Sequence, residues 1–142
     1  MRFTVEVPPG WTRTPFPAPQ RGLYLHAPPG GARGAMLLMD AITAHGTLAD
    51  QLAAAVRTGC SDAQLLAEGA PIPFVTVAEL PGLSIPVRLR VTHDRAQRDE
   101  LRVFSLVDAG TARLPTVFLG DVDAAAVYQQ AIGLILYTIR PA

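Results

Sequence analysis

The chain has no lysine and no asparagine, and it has a single cysteine, Cys60. One cysteine excludes an intrachain disulfide. With lysine missing, all twelve basic residues are arginine, and twelve acidic residues balance them to a net charge of zero. Phosphate neutralisation needs a basic excess or a basic run, and the arginines are scattered from Arg2 to Arg140. Nucleic acid is therefore not an expected partner. Long apolar runs are also missing. The stretch Ala131 to Leu136 is far too short to span a bilayer, so no membrane partner is expected. The opening MRFTVEVPPGW alternates polar and apolar residues. A secretory signal would show a basic stretch and then a continuous apolar run. The expectation is a cytoplasmic protein, with the codon bias of a GC-rich bacterial genome behind its abundant Ala, Gly and Pro.

Catalytic and metal-binding patterns are lacking too. The glycine-rich segment PPGGARGA has no following Lys-Ser/Thr to hold phosphate and magnesium, so it reads as a turn. No GxGxxG follows a strand. His26, His45 and His93 stand at no metal-ligand spacing and read as surface residues. Ser61, Ser84 and Ser105 lack the GxSxG setting of a hydrolase nucleophile. Cys60 follows a helix end, whereas a reactive thiolate favours a helix start or a cationic neighbour. Arg57 lies three residues back, but the default is a small, half-buried thiol. Asp121 and Asp123 serve as helix caps rather than metal ligands. No catalytic residue, cofactor or metal is expected.

What is present is a core. A chain of 142 residues, 49% hydrophobic and 17% charged, fits one folded domain over residues 1–142. Such a domain buries roughly 70% of its unfolded surface and needs no crosslink. Phe3, Val5 and Val7 alternate with Arg2, Thr4 and Glu6, the period of a half-buried strand. Thr12 to Arg21 is proline-rich and predicts an extended loop, of which Thr12 to Gln20 would serve as a lid if the chain binds a small ligand. Gly22 to Ala27 predicts a second strand. Ala35 to Ile42, apolar on both sides, predicts a central strand covered on both faces. Thr47, with Asp50 three residues on, predicts a capped helix whose stripe is Leu48, Leu52, Ala55 and Val56, stopped at Gly59. Ala63 to Glu68 fits a helical turn or a strand, and Ala70 to Ala78 reads as a strand. Val87, Leu89 and Val91 alternate with Arg88, Arg90 and Thr92 and predict a hairpin. Its loop is His93 to Asp99 and its return strand Leu101 to Val107. Pro115 to Leu119 is a further strand. A last helix, capped by Asp121 or Asp123, carries Val127, Tyr128, Ala131, Ile132, Ile135 and Ile139 on one stripe and stops at Pro141.

This order predicts an α+β class with an antiparallel β-sheet flanked by helices. The segments FTVEVPPGW, GLYLHAPPG and AMLLMDAI, the Thr47 helix, the hairpin and the Asp121 to Arg140 helix together resemble the PsbP-like superfamily of small Mog/PsbP-type domains. That fold is named for a subunit of the photosynthetic oxygen-evolving complex. A Ran-binding import factor, bacterial lipoproteins and secretion-effector chaperones share it. The resemblance implies an α/β/α sandwich and a non-enzymatic adaptor, chaperone or assembly factor. The acidic and aromatic signatures of the effector chaperones and of the Ran-binding surface are missing here, so no site residue carries over.

Arg88 and Arg90 project together from the hairpin, and Arg102 on the return strand is placed with them as a partner-binding patch for acidic groups. A solvated charge pair with Glu100 is the competing reading. Trp11, the only tryptophan, reads as a plug at one end of the core, or as a hot spot if exposed. The function expected is a protein-binding module. The alternatives are a small-ligand-binding domain and a structural subunit of a larger bacterial assembly. The last would form a homo-oligomer through Leu134 and Leu136, which lie off the main stripe.

Overall fold

The computed structural model describes residues 2–142. Its centre is the predicted hairpin. Strands β8 (Pro81–His93) and β9 (Ala96–Asp108) run thirteen residues each and pair along their whole length. Asp94 and Arg95 form the turn, both with positive φ, 49° and 66°. That is the geometry of a two-residue primed turn, whose twist matches the strands it joins. The expected loop His93 to Asp99 is thus corrected to two residues. Gln97 and Arg98 pair with Thr92 and Val91, so their polarity marks strand that faces water.

Strand β10 (Ala112–Gly120) pairs with β9, and β4 (Gly34–Met39) pairs with β10. Strand β3 (Gly22–His26) follows β4, and β2 (Thr12–Pro15) forms the edge. Thr12 to Arg21 was expected to be a loop, yet its first four residues are strand. The Phe16 N–H donates to Gly22 O at 3.1 Å, so the N–H that Pro15 lacks would have pointed outward. Proline is tolerated at that edge position. On the other side β6 (Gln64–Glu68) and β7 (Ile72–Val75) pair with successive parts of β8. Of the segment Ala63 to Glu68, all but Ala63 therefore resolves as strand. The short β5 (Ile42–Thr43) lies beside the start of β10. The sheet order is β2-β3-β4-β10-β9-β8-β6, and every pairing among the described residues is antiparallel. Separately, β1 (Phe3–Thr4) pairs with β11 (Arg140–Pro141). The class is α+β, as expected.

Alternation sorts the side chains onto two faces. On one face Ile85, Val87, Leu89, Phe104 and Leu106 pack with Leu52 and Val56 of helix α1 (Leu48–Gly59). Thr47 caps α1 as expected, its hydroxyl accepting from the Asp50 N–H at 3.1 Å. Gly59 is needed for space: a Cβ there would overlap the Phe104 ring. The opposite cluster joins Trp11, Leu25, Met36, Leu38, Val107 and Phe118 to Ile132, Ile135, Leu136 and Ile139. Full burial of each such side chain stabilises by roughly 1.5–3 kcal/mol. Phe3, Val5 and Val7 pack on this cluster, although only Phe3 and Thr4 are hydrogen-bonded strand. Strand β4 is central, but Leu37 and Met39 are only half-buried, because α1 covers β8 and β9 instead.

The last helix departs most from expectation. It is two helices, α2 (Ala124–Val127) and α3 (Gln129–Tyr137), broken at Tyr128. The break seats the Tyr128 ring edge-on against Trp11, with centroids 5.4 Å apart, and its hydroxyl donates to Ala32 O at 2.6 Å. Neither aspartate is a side-chain cap. Asp123 makes no cap bond, and Asp121 accepts from the Arg33 N–H at 2.8 Å. Val127 is 58% exposed and off the stripe. Ile139 is buried beyond the helix end, and Pro141 belongs to β11.

Candidate functional site

The three arginines do not form one patch. Arg102 pairs with Val87 across the hairpin, whereas Arg88 pairs with Leu101 and Arg90 with Asp99. Directly opposed residues share a face, so Arg102 lies on the face away from Arg88 and Arg90. Arg88 is exposed, and Arg90 bonds Asp99 at 3.1 Å. Arg102 is buried. Its Nε donates to Glu100 at 2.8 Å, and its Nη1 donates to Gly59 O and to Asp62, the latter at 2.9 Å. Glu100, also buried, accepts from Arg33 at 2.9 Å.

This network ties the end of α1 to β9 and to the turn before β4. Burial works against the Arg102 charge, but the bonds it donates to Asp62 and Glu100 outweigh that and hold the proton more firmly. The same bond from Arg102 holds the Asp62 carboxyl below its usual range. Burial pushes the neighbouring Cys60 thiol up, against the opposing Arg102 charge. A raised thiol carries less thiolate and is a poorer nucleophile. His26, His45 and His93 are exposed and lie on separate elements. No metal-competent cluster occurs among the described residues.

Trp11 is 8% exposed and fills the end of the core as expected. The surface that stands out is elsewhere. A groove of about 460 Å³ opens between β7 and α3. Ile72 and Phe74 form one wall, Ile132, Leu136 and Tyr137 the other, and Val103 the floor. The Ser84 hydroxyl in the groove is already bonded to Ser105 at 2.7 Å. No charged residue lines it. Ile72 and Tyr137 are 56% and 54% exposed at its rim. Val77, also exposed, is fastened to Tyr137 through its N–H.

The local cause lies in the sequence. Gly69, Pro71 and Pro73 interrupt the edge, so β7 is only four residues long. The arginine reading missed this site. Its signal was present in the alternating apolar residues Ile72 and Phe74, set beside Pro71 and Pro73. Leu136, expected at an oligomer contact, packs in the core and lines the groove wall.

No protein-family model matches the chain, and no curated protein matches it. Solved structures do. The chain is similar to LpqN, involved in cell envelope biogenesis of Mycobacterium tuberculosis, with a TM-score of 0.63 and 12% identity over 98% of this chain and 83% of that one. It is similar to PA94, a protein of unknown function from Pseudomonas aeruginosa, with a TM-score of 0.62 and 15% identity over 97% and 90%. A Bacteroides thetaiotaomicron protein matches with a TM-score of 0.57 and 8% identity, over 99% of this chain and 45% of that one. At such identities the likeness shows a shared fold alone. No helix is long and apolar enough to cross a membrane among the described residues.

Proposed function

We propose that this chain is a non-enzymatic protein-binding module, an adaptor or assembly factor, with helices layered on both faces of its sheet in the PsbP-like manner. The observation that carries the reading is the uncharged groove between β7 and α3, with large apolar side chains exposed at its rim. Exposed apolar patches of this kind mark docking surfaces, because covering them removes apolar area from water.

The adjacent sheet edge argues for the groove over strand addition. β6 carries a bulge at Leu66 and β7 carries Pro73, and both features blunt an edge against a further strand. The occupant is an apolar protein segment lying along α3, as a helix lies in a groove.

Gly133 supplies the test. It lines the groove, and a Cβ there would meet nothing within 4 Å. Gly133→Arg therefore fills the groove while the helix gains propensity. A photoreactive side chain at Ile72 in the native host is expected to crosslink one protein, and Gly133→Arg to abolish that crosslink. Crosslinking that survives Gly133→Arg, or none at all, would overturn the reading. The same reading places the module in the bacterial cytoplasm. Recovery of the chain in the envelope fraction of its host would contradict that.

A further inference from the structure

A second cavity lies under the N-terminal segment and shares no lining residue with the groove. It encloses about 370 Å³, at the small end of ligand pockets. Phe3, Val5, Leu23 and Leu114 make its walls apolar, and Arg2 and Arg13 line it together with Asp40. All three charged residues are exposed, while the apolar ones are half-buried or buried. The charges therefore ring an apolar interior. Neither Arg2 nor Arg13 takes part in an ion pair among the described residues. Arg33, Arg90, Arg98, Arg102 and Arg113 each have a carboxylate partner.

We propose that this cavity binds a small organic monoanion, a carboxylate carried on a compact apolar body, with its headgroup held by Arg2 and Arg13. Two guanidinium groups against one carboxylate leave one positive charge in excess, so an anion is attracted and a cation repelled. The planar guanidinium suits a carboxylate, which it binds through two parallel hydrogen bonds. The apolar body replaces water against Phe3, Val5, Leu23 and Leu114. The wall made by Phe3 and Val5 is fastened by the β1–β11 pair and by the Glu6 N–H to the Thr138 hydroxyl at 2.9 Å. The site is thus shaped by the fold and independent of the groove.

The test uses the full chain with phenylacetate and octanoate as probes, their amides as neutral controls and octylamine as a cation. Binding is read by amide chemical shifts and by melting temperature, which a ligand of the native state raises by mass action. The carboxylates are expected to shift residues 2–7 and 22–24 saturably at millimolar concentration, and the amides and the amine to do so weakly or not at all. Arg13→Gln is expected to weaken carboxylate binding about tenfold or more. If that variant is misfolded, Arg2→Gln takes its place, with the same expectation. Gly133→Arg is expected to leave this binding unchanged, which separates the cavity from the groove. Equal affinity for acid and amide, full binding by the Gln variant, or no shift with any probe would each overturn the proposal.

Discussion

Arg88 and Arg102 show how much one residue's setting decides. Removing Arg102 takes from the buried Glu100 one of its two side-chain hydrogen-bond donors, and breaking a buried pair from one side is costly. Arg102→Ala is expected to lower unfolding free energy by about 3 kcal/mol, and Arg88→Ala to change it by less than about 0.5 kcal/mol; urea titration distinguishes the two. Asp62 adds a pH dependence of known sign. Its folded value lies below the ordinary 3.8. Its contribution is therefore complete above about pH 4 and is lost as the pH falls through the folded value. Asp62→Asn is expected to cost stability at pH 7, and the difference in melting temperature from the wild type is expected to shrink towards pH 3. Alternation alone put Arg88 and Arg90 on one face. The face of Arg102 depended on hairpin register, which was hidden once the turn was read as seven residues rather than two. Register is set by the turn, and a one-residue slip moves every side chain to the other face.

Among the elements, those whose apolar rhythm matched their geometry were readable. Helix α1 has its cap, its stripe and its final glycine in sequence order, and β8 has strict alternation. The final helix was misread because Tyr128 continues the helical spacing while its contacts with Trp11 and Ala32 come from distant parts of the chain. Such long-range contacts leave no local trace. Strand β2 was masked by proline, which signals a loop unless the strand lies at an edge. The hairpin turn offers an element-scale test. Arg95 adopts φ 66°, a region that disfavours side chains other than glycine and asparagine. Arg95→Gly is expected to stabilise the protein by about 0.5–1 kcal/mol, because glycine relieves that strain in a turn that prefers it. A denaturant midpoint that falls instead would show that the arginine makes a compensating contact.

At the scale of the molecule, two hydrophobic clusters sit on opposite faces of one sheet, and β9 and β10 contribute side chains to both. Trp11 belongs to one cluster, and Cys60 packs against the other. Each carries a natural reporter, tryptophan fluorescence on one side and thiol accessibility on the other. If the shared strands make the two clusters interdependent, both reporters are expected to trace one transition with the same midpoint. Separate midpoints would mean that one face melts while the other stands. On that expectation β9 and β10 are a party wall: neither room can be demolished without opening the other. A lesion at Phe104 under α1 then reaches the groove and the arginine-rimmed cavity, both on the opposite face of the sheet, by shortening the life of the whole fold.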